Sequence, residues 1–230
     1  MNDKSNKRAG MYFIDNKYYP SVTQILSVID KPALRIWYGK QIYQAVALHP
    51  EISEKEALAE PYKQGVTAKD RGSAVHAIVE GWEVTGKVNG LDGEHKGYAQ
   101  AFDRWIKSND VKIVEHERTI CSDKYGYAGT LDLLVKINGF ELPTLIDIKT
   151  GKDIYPEAQL QVSAYRVACE EQGTKLDSTG ILLLMEDGTY KFELGKDKFA
   201  GFLACKTLWE TLNEDLMIKA GIRSDRILDI

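Results

Sequence analysis

The chain has 230 residues, 43% of them hydrophobic, enough for one domain with a substantial core and too little for two large ones. Its 30 basic and 34 acidic residues give a net charge of −4, which weighs against a generic nucleic-acid binder with an overall basic surface but leaves room for a local basic cleft. No apolar run approaches a membrane span, no signal-peptide core is present, and Cys121, Cys169 and Cys205 form no C-x-x-C pair, so a cytoplasmic protein without a disulfide framework or structural zinc is expected.

In chain order, residues 1–10 are polar and read as a frayed tail. Met11 to Tyr19, with apolar runs around Asp15-Asn16, reads as a small hairpin. Ser21 or Thr23 caps a helix whose apolar side is Ile25, Leu26 and Ile29. From Leu34 to about Tyr62 the pattern is helical but broken at His49-Pro50, with a short helix restarting at Ser53; Trp37 reads as a core residue. A further helix is expected to start near Ala68 to Asp70 and run to Trp82. It places His76 and Glu80 four apart on one face. By itself His76 is either a ligand or a hydrogen-bonded boundary residue, and Glu80 either holds its ring or decorates the surface.

A Gly-rich loop at 83–96 leads to a helix ending near Ser108 with Tyr98, Phe102, Trp105 and Ile106 on its apolar stripe. Val111 to Cys121 is a strand in which Ile113, Glu115, Glu117 and Thr119 share one parity. Two further strands meet through Asn138-Gly139, a strong turn signal. In the first of them Tyr127 either packs in the sheet or lies over a base or sugar, and Gly126 and Gly129 permit a bend. A helix from Pro156 to about Gln172, a buried strand at Gly180 to Met185, an edge strand at Tyr190 to Leu194 and an amphipathic helix from Lys198 to Met217 complete the pattern; 218–230 is left unassigned.

The chemistry concentrates in the paired strands. In Thr144 to Thr150 the alternation puts Asp147 and Lys149 on one side and Ile146 and Ile148 on the other, while Asp132 interrupts the apolar run Thr130 to Val135. Buried carboxylates need a partner, and a hard divalent ion takes such oxygens while leaving positions for water and phosphate. Lys149 beside them could orient the attacking water and stabilise charge growing on a phosphate. Gln161 and Tyr165, one turn apart on the next helix, can reach a phosphate or the lysine, or else pack. Lys152 is a plausible phosphate contact. No Walker A pattern occurs, so no ATP use is expected.

Gly129-Thr130-Leu131-Asp132 followed by Asp147-Ile148-Lys149-Thr150 resembles the G-x-x-D and D-x-K-T core of the PD-(D/E)xK nuclease superfamily. The match is to its RecB-like, Cas4-like branch, with bacteriophage recombination exonucleases and the mitochondrial genome maintenance exonuclease as the nearest pattern. The upstream His76, within Arg71-Gly72-Ser73-Ala74-Val75-His76, and the Q-x-x-x-Y of Gln161 and Tyr165 complete a pattern running from Pro20 to about Leu194. The resemblance implies a restriction-endonuclease-like α/β core, a mixed central β-sheet flanked by helices, with an N-terminal helical region over the cleft. It divides a single nuclease domain into a tail (1–10), an N-terminal hairpin and helical region (11–65), a catalytic core (66–217) and a C-terminal extension (218–230).

It further implies Mg²⁺ or Mn²⁺, one or two ions, held by His76, Asp132, Asp147 and the carbonyl of Ile148, with Lys149 assisting the water, Gln161 and Tyr165 catalytic, and Glu80 and Glu117 near a second ion or behind the ligands. A solvated strand face is an equally good account of Glu117. Ser21, Thr23, Trp37, Arg71, Tyr127, Thr150 and Lys152 are the expected DNA contacts. Three cysteines cannot hold the four-cysteine iron-sulfur cluster of some Cas4-like members, so none is expected. The implied activity is a DNA exonuclease of phage-type recombination, replication or repair, in the host cytoplasm if phage-encoded, with an annealing or single-strand-binding protein or a second copy as partner and no membrane. A structure-specific endonuclease and a non-catalytic DNA-binding or assembly protein stay open as alternatives.

Overall fold

The structure, a computed structural model, describes residues 10–85, 88, 90, 93 and 95–222, with side chains for all of these except 64–70 and 83–85. Residues 1–9 of the expected tail, most of the Gly-rich loop and the end of the chain (223–230) lie outside the described residues.

Alternation of apolar residues produces five strands that form one sheet: β3 (Lys112–Ser122), β4 (Tyr127–Lys136), β5 (Thr144–Thr150), β6 (Ser178–Leu184) and β7 (Tyr190–Leu194). They lie in that order, antiparallel throughout except for the parallel β5–β6 pair. A parallel pair needs a crossover, and α5 (Pro156–Glu171) provides it. The sheet is therefore mixed and flanked by helices, as expected for a restriction-endonuclease-like core.

Each face carries its own core. Leu131, Leu145, Val162, Phe202 and Trp209 pack on one side, beneath α5 and α6 (Phe199–Leu212). Val75, Phe102, Trp105, Ile146, Ile148 and Leu182 pack on the other, beneath α3 (Glu54–Thr85) and α4 (Lys96–Ser108). Neighbouring residues of β5 thus divide between the two cores, the period-two consequence of a strand buried on both faces.

Before the sheet, β1 (Met11–Ile14) and β2 (Lys17–Pro20) form the expected hairpin, turned by Asp15 and Asn16 at φ 47° and 63°. A short helix α1 (Val22–Ile25) follows, capped by Ser21, whose Oγ accepts the amide of Gln24 at 3.0 Å. α2 (Pro32–Leu48) departs from expectation: it buries none of its residues, and Ile36, Tyr43 and Leu48 are well exposed. Trp37 is half-buried, edge-on to Tyr38 at 5.4 Å, so it is not a core tryptophan. Its helix packs on α3.

The sequence reading also breaks a helix that is continuous. α3 opens on a capping box, with Ser53 Oγ accepting from Glu56 N at 3.3 Å and Glu56 Oε2 from Ser53 N at 3.2 Å. It then runs 32 residues through Pro61. A mid-helix proline removes one donor and costs about 3 kcal/mol, but the Ala, Glu and Lys residues before it are strong helix formers. Near the C-terminus the expected single helix is two, because Asn213 ends α6 by donating to Trp209 O and starts α7 (Glu214–Lys219) by accepting from Leu216 N and Met217 N.

Candidate active site

The site forms where two strands part. β4 and β5 are paired only through Leu133↔Ile146, Leu134↔Leu145 and Val135↔Thr144, whereas β5 stays paired with β6 as far as Thr150↔Leu184. Beyond Ile146 the backbone of β5 has no ladder partner in β4, and the amide of Ile148 donates instead to Asp132 Oδ2 at 2.7 Å. The carboxylate fills the place of a missing carbonyl and is thereby fixed at the mouth of the gap.

On the α5 side of β5 a second carboxylate is held by a different set. Asp147 is 1% exposed; its Oδ1 accepts from Gln161 Nε2 at 2.9 Å and its Oδ2 lies 2.7 Å from Lys149 Nζ. Lys149 also donates to Gln161 Oε1 at 3.0 Å, and Gln161 Nε2 reaches the Tyr165 hydroxyl at 3.0 Å. The amide orientation follows from charge, with oxygen toward the ammonium and nitrogen toward the carboxylate. The expected quartet Asp147, Lys149, Gln161 and Tyr165 is therefore one connected network. Its assembly explains Gly129: a Cβ there would come within 2.5 Å of Tyr165 Cε1. The glycine permits close approach of the tyrosine rather than the bend expected from sequence.

Across the gap stands His76 of α3. Its Nδ1 lies 2.7 Å from Glu117 Oε1, while Glu80, the partner suggested by helical spacing, is exposed. Glu117, itself exposed, meets His76 where β3 is irregular. The register slips between Ile113 and Glu115, and Glu117 itself has φ 50°, in the left-handed region. The simple parity expected for this strand is lost there. A non-glycine residue held so costs on the order of 1–3 kcal/mol, a strain that needs a compensating role. Ligand atoms of His76, Glu117 and Asp132 all lie within 4.8 Å of one another.

The charges act on each other. Burial and then the charge of Asp147 push the Asp132 carboxyl up to about 7. The Glu117 hydrogen bond holds His76 above its ordinary value, outweighing burial. Burial pulls Lys149 down, but Asp147 and Asp132 outweigh it and keep the ammonium above its usual value. Lys149 is therefore a cation at neutral pH. The excess of acidic groups is what a divalent cation would relieve, and two features fit one: the convergent His76, Glu117 and Asp132 donors, and the second, buried carboxylate of Asp147, whose Oδ2 faces the Lys149 ammonium at 2.7 Å. Of the residues expected to hold or support a metal, His76, Asp132 and Glu117 are thus brought together.

His76, Asp132, Asp147, Ile148, Lys149, Gln161 and Tyr165 line a cavity of about 220 Å³, and Glu117 is not among its lining residues. Ser21 and Thr23, 3.2 Å apart through their hydroxyls, form part of its wall, as do Tyr12 and Thr130. Tyr12 was not suggested by the sequence, where its place in an aromatic hairpin reads as packing; its hydroxyl meets Thr130 Oγ1 at 2.9 Å. Tyr127 takes the packing alternative. It is fully buried, donates its hydroxyl to Ala164 O at 2.7 Å and packs on Phe202. Trp37, Arg71, Thr150 and Lys152 do not line the cavity. Arg71 lies over the Tyr98 ring at 5.9 Å, Thr150 is half-buried at the end of β5, and Lys152 is exposed just beyond it.

No protein-family model matches the sequence, and no curated protein matches it. Among solved structures the chain is similar to the alkaline exonuclease LHK-Exo from Laribacter hongkongensis, at 16% identity and a TM-score of 0.45 over 89% of this chain and 94% of that one. It is similar to the same enzyme in complex with dAMP at 15% identity and a TM-score of 0.41, with the same coverage. For the protein SSO0001 the values are 14% and 0.38, over 84% of this chain and 75% of that one.

Proposed function

We propose that the protein is a divalent-metal-dependent deoxyribonuclease that hydrolyses phosphodiester bonds. The observation that supports it best is the pairing of the buried Asp147 carboxylate with a charged Lys149 directly across the strand gap from the His76, Glu117 and Asp132 donors. His76, Glu117, Asp132 and Asp147 would hold Mg²⁺ or Mn²⁺, with the Ile148 carbonyl at hand on the same strand. Bound there, the ion supplies Lewis acidity, polarising the phosphate and activating water.

The protein's own groups do the remainder. Water attacks phosphorus and one P–O ester bond breaks, so negative charge grows on the non-bridging oxygens. Lys149, kept protonated by its carboxylate neighbours, donates to that charge. Gln161 fixes the ammonium in position through its carbonyl and fixes Asp147 through its amide. Tyr165 holds the Gln161 amide from behind, and Ser21 and Thr23 offer uncharged hydroxyls to a neighbouring phosphate. The motif resemblance extends the proposal to exonuclease action on DNA ends, with 66–217 as the catalytic core.

The test is a time course with end-labelled linear and covalently closed circular DNA, single- and double-stranded, in Mg²⁺, Mn²⁺ or EDTA, with Asp147→Asn as control. Metal-dependent loss of the linear forms alone is the expected result. Cutting of closed circles would replace exonuclease by endonuclease, and binding without cleavage under every condition would overturn the catalytic reading.

A further inference from the structure

We infer that Tyr12, through its hydroxyl contact with Thr130, is a positioning residue for the Asp132 carboxylate and hence for metal affinity; this rests on the metal-dependent function proposed above. The starting point is the stretch of β4 that β5 has left. On one edge it is paired with β3, through Arg118↔Leu131, Thr119↔Thr130 and Ile120↔Gly129, while on the other edge the ladder with β5 stops at Leu133↔Ile146. A strand held along one edge can tilt about it. The β1–β2 hairpin covers the open part of β4 and ties it at two points. Ser21 bridges Ala128, and the Tyr12 hydroxyl lies 2.9 Å from Thr130 Oγ1.

Thr130 stands two residues before Asp132 on β4, and both line the cavity. The ring and the hydroxyl of Tyr12 can be separated. The ring, 3% exposed, packs with Tyr19, Ala128 and Ile14, a task Phe would perform equally. The hydroxyl adds the polar tie to β4. Metal sites tolerate ligand shifts of about 0.2 Å, so a small tilt of this strand would be read as lost affinity. Removing groups that orient a ligand typically costs about 10- to 100-fold, and an indirect tie belongs at the lower end.

Calorimetric titration with Mn²⁺ on the parent, Tyr12→Phe, Thr130→Val, Thr130→Ser and the Tyr12→Phe/Thr130→Val double variant tests this, with melting in EDTA run in parallel. Tyr12→Phe and Thr130→Val should each weaken Mn²⁺ binding on the order of tenfold. The double variant should be no weaker than either single one, and Thr130→Ser, which keeps the hydroxyl, should bind like the parent. Parent-like Mn²⁺ affinity in Tyr12→Phe, whatever its melting temperature, would overturn the inference by leaving the hydroxyl a stability role alone. Failure of the parent itself to bind Mn²⁺ would overturn the metal-dependent function, and the inference with it.

Discussion

At one end of the β4–β5 seam Leu133, Leu134 and Val135 pair with Ile146, Leu145 and Thr144, and the hydroxyls of Thr144 and Ser178 meet each other at 3.0 Å. A few residues further along the same strands the ladder is absent, and Asp132, Asp147 and Lys149 occupy the space. The backbone at the closed end satisfies itself, so its side chains are free to be apolar. At the open end an unpaired amide and a gap create places that only polar side chains fill at acceptable cost. Stability and chemistry are thus assigned to opposite ends of one pair of strands.

The largest test of that division is at the open end. Lys149→Ala should lower DNA cleavage about 100- to 1,000-fold, the scale of losing one charge-stabilising donor, with an unchanged circular-dichroism spectrum; near-parent turnover would remove the lysine from the chemistry. At the closed end Leu145→Ala should do the reverse. It should cost about 2–5 kcal/mol in chemical denaturation and leave the cleavage rate of the remaining folded protein near that of the parent. Gly129→Ala probes the border: its methyl would displace the Tyr165 ring, costing about 1–3 kcal/mol and several-fold in rate, and unchanged values for both would show that the ring has room.

A pH comparison sharpens the same contrast. Asp132 is raised from 3.8 to about 7 by burial and by Asp147, so between those values the folded state holds a proton that the unfolded state has released. Stability then falls as pH rises through that window, and His76, also raised, acts in the same direction. In EDTA the parent should lose melting temperature relative to Asp132→Asn from about pH 4 to about pH 7, and saturating Mn²⁺ should remove the loss. A flat difference would mean that Asp132 ionises freely. The smallest effect belongs to α2: Leu48→Ser should change stability by no more than about 0.5 kcal/mol, because that side chain is 75% exposed.

What the sequence disclosed follows the same physics. The strands β4 to β7 and the helix α5 were legible because local periodicity and turn residues determine them, and Asp132, Asp147 and Lys149 stood out as charges inside apolar runs. Glu117 was ambiguous because parity assumes a regular ladder, and neither the slip at Val114 nor the left-handed φ of Glu117 has a local signature. Tyr12 was invisible as a site residue because its contact with Thr130 spans 118 positions. The continuity of α3 through Pro61 and the exposure of α2 are matters of packing between helices, which no single window of sequence contains.

The irregularity of β3 has a second effect. β3 is an edge of the sheet, and a regular edge strand is a template on which another chain can add a strand and begin aggregation. The register slip and the left-handed Glu117 break the even row of amides and carbonyls that such growth requires. Straightening the strand would therefore withdraw Glu117 from His76 and, at the same time, leave a longer uninterrupted edge open to self-association.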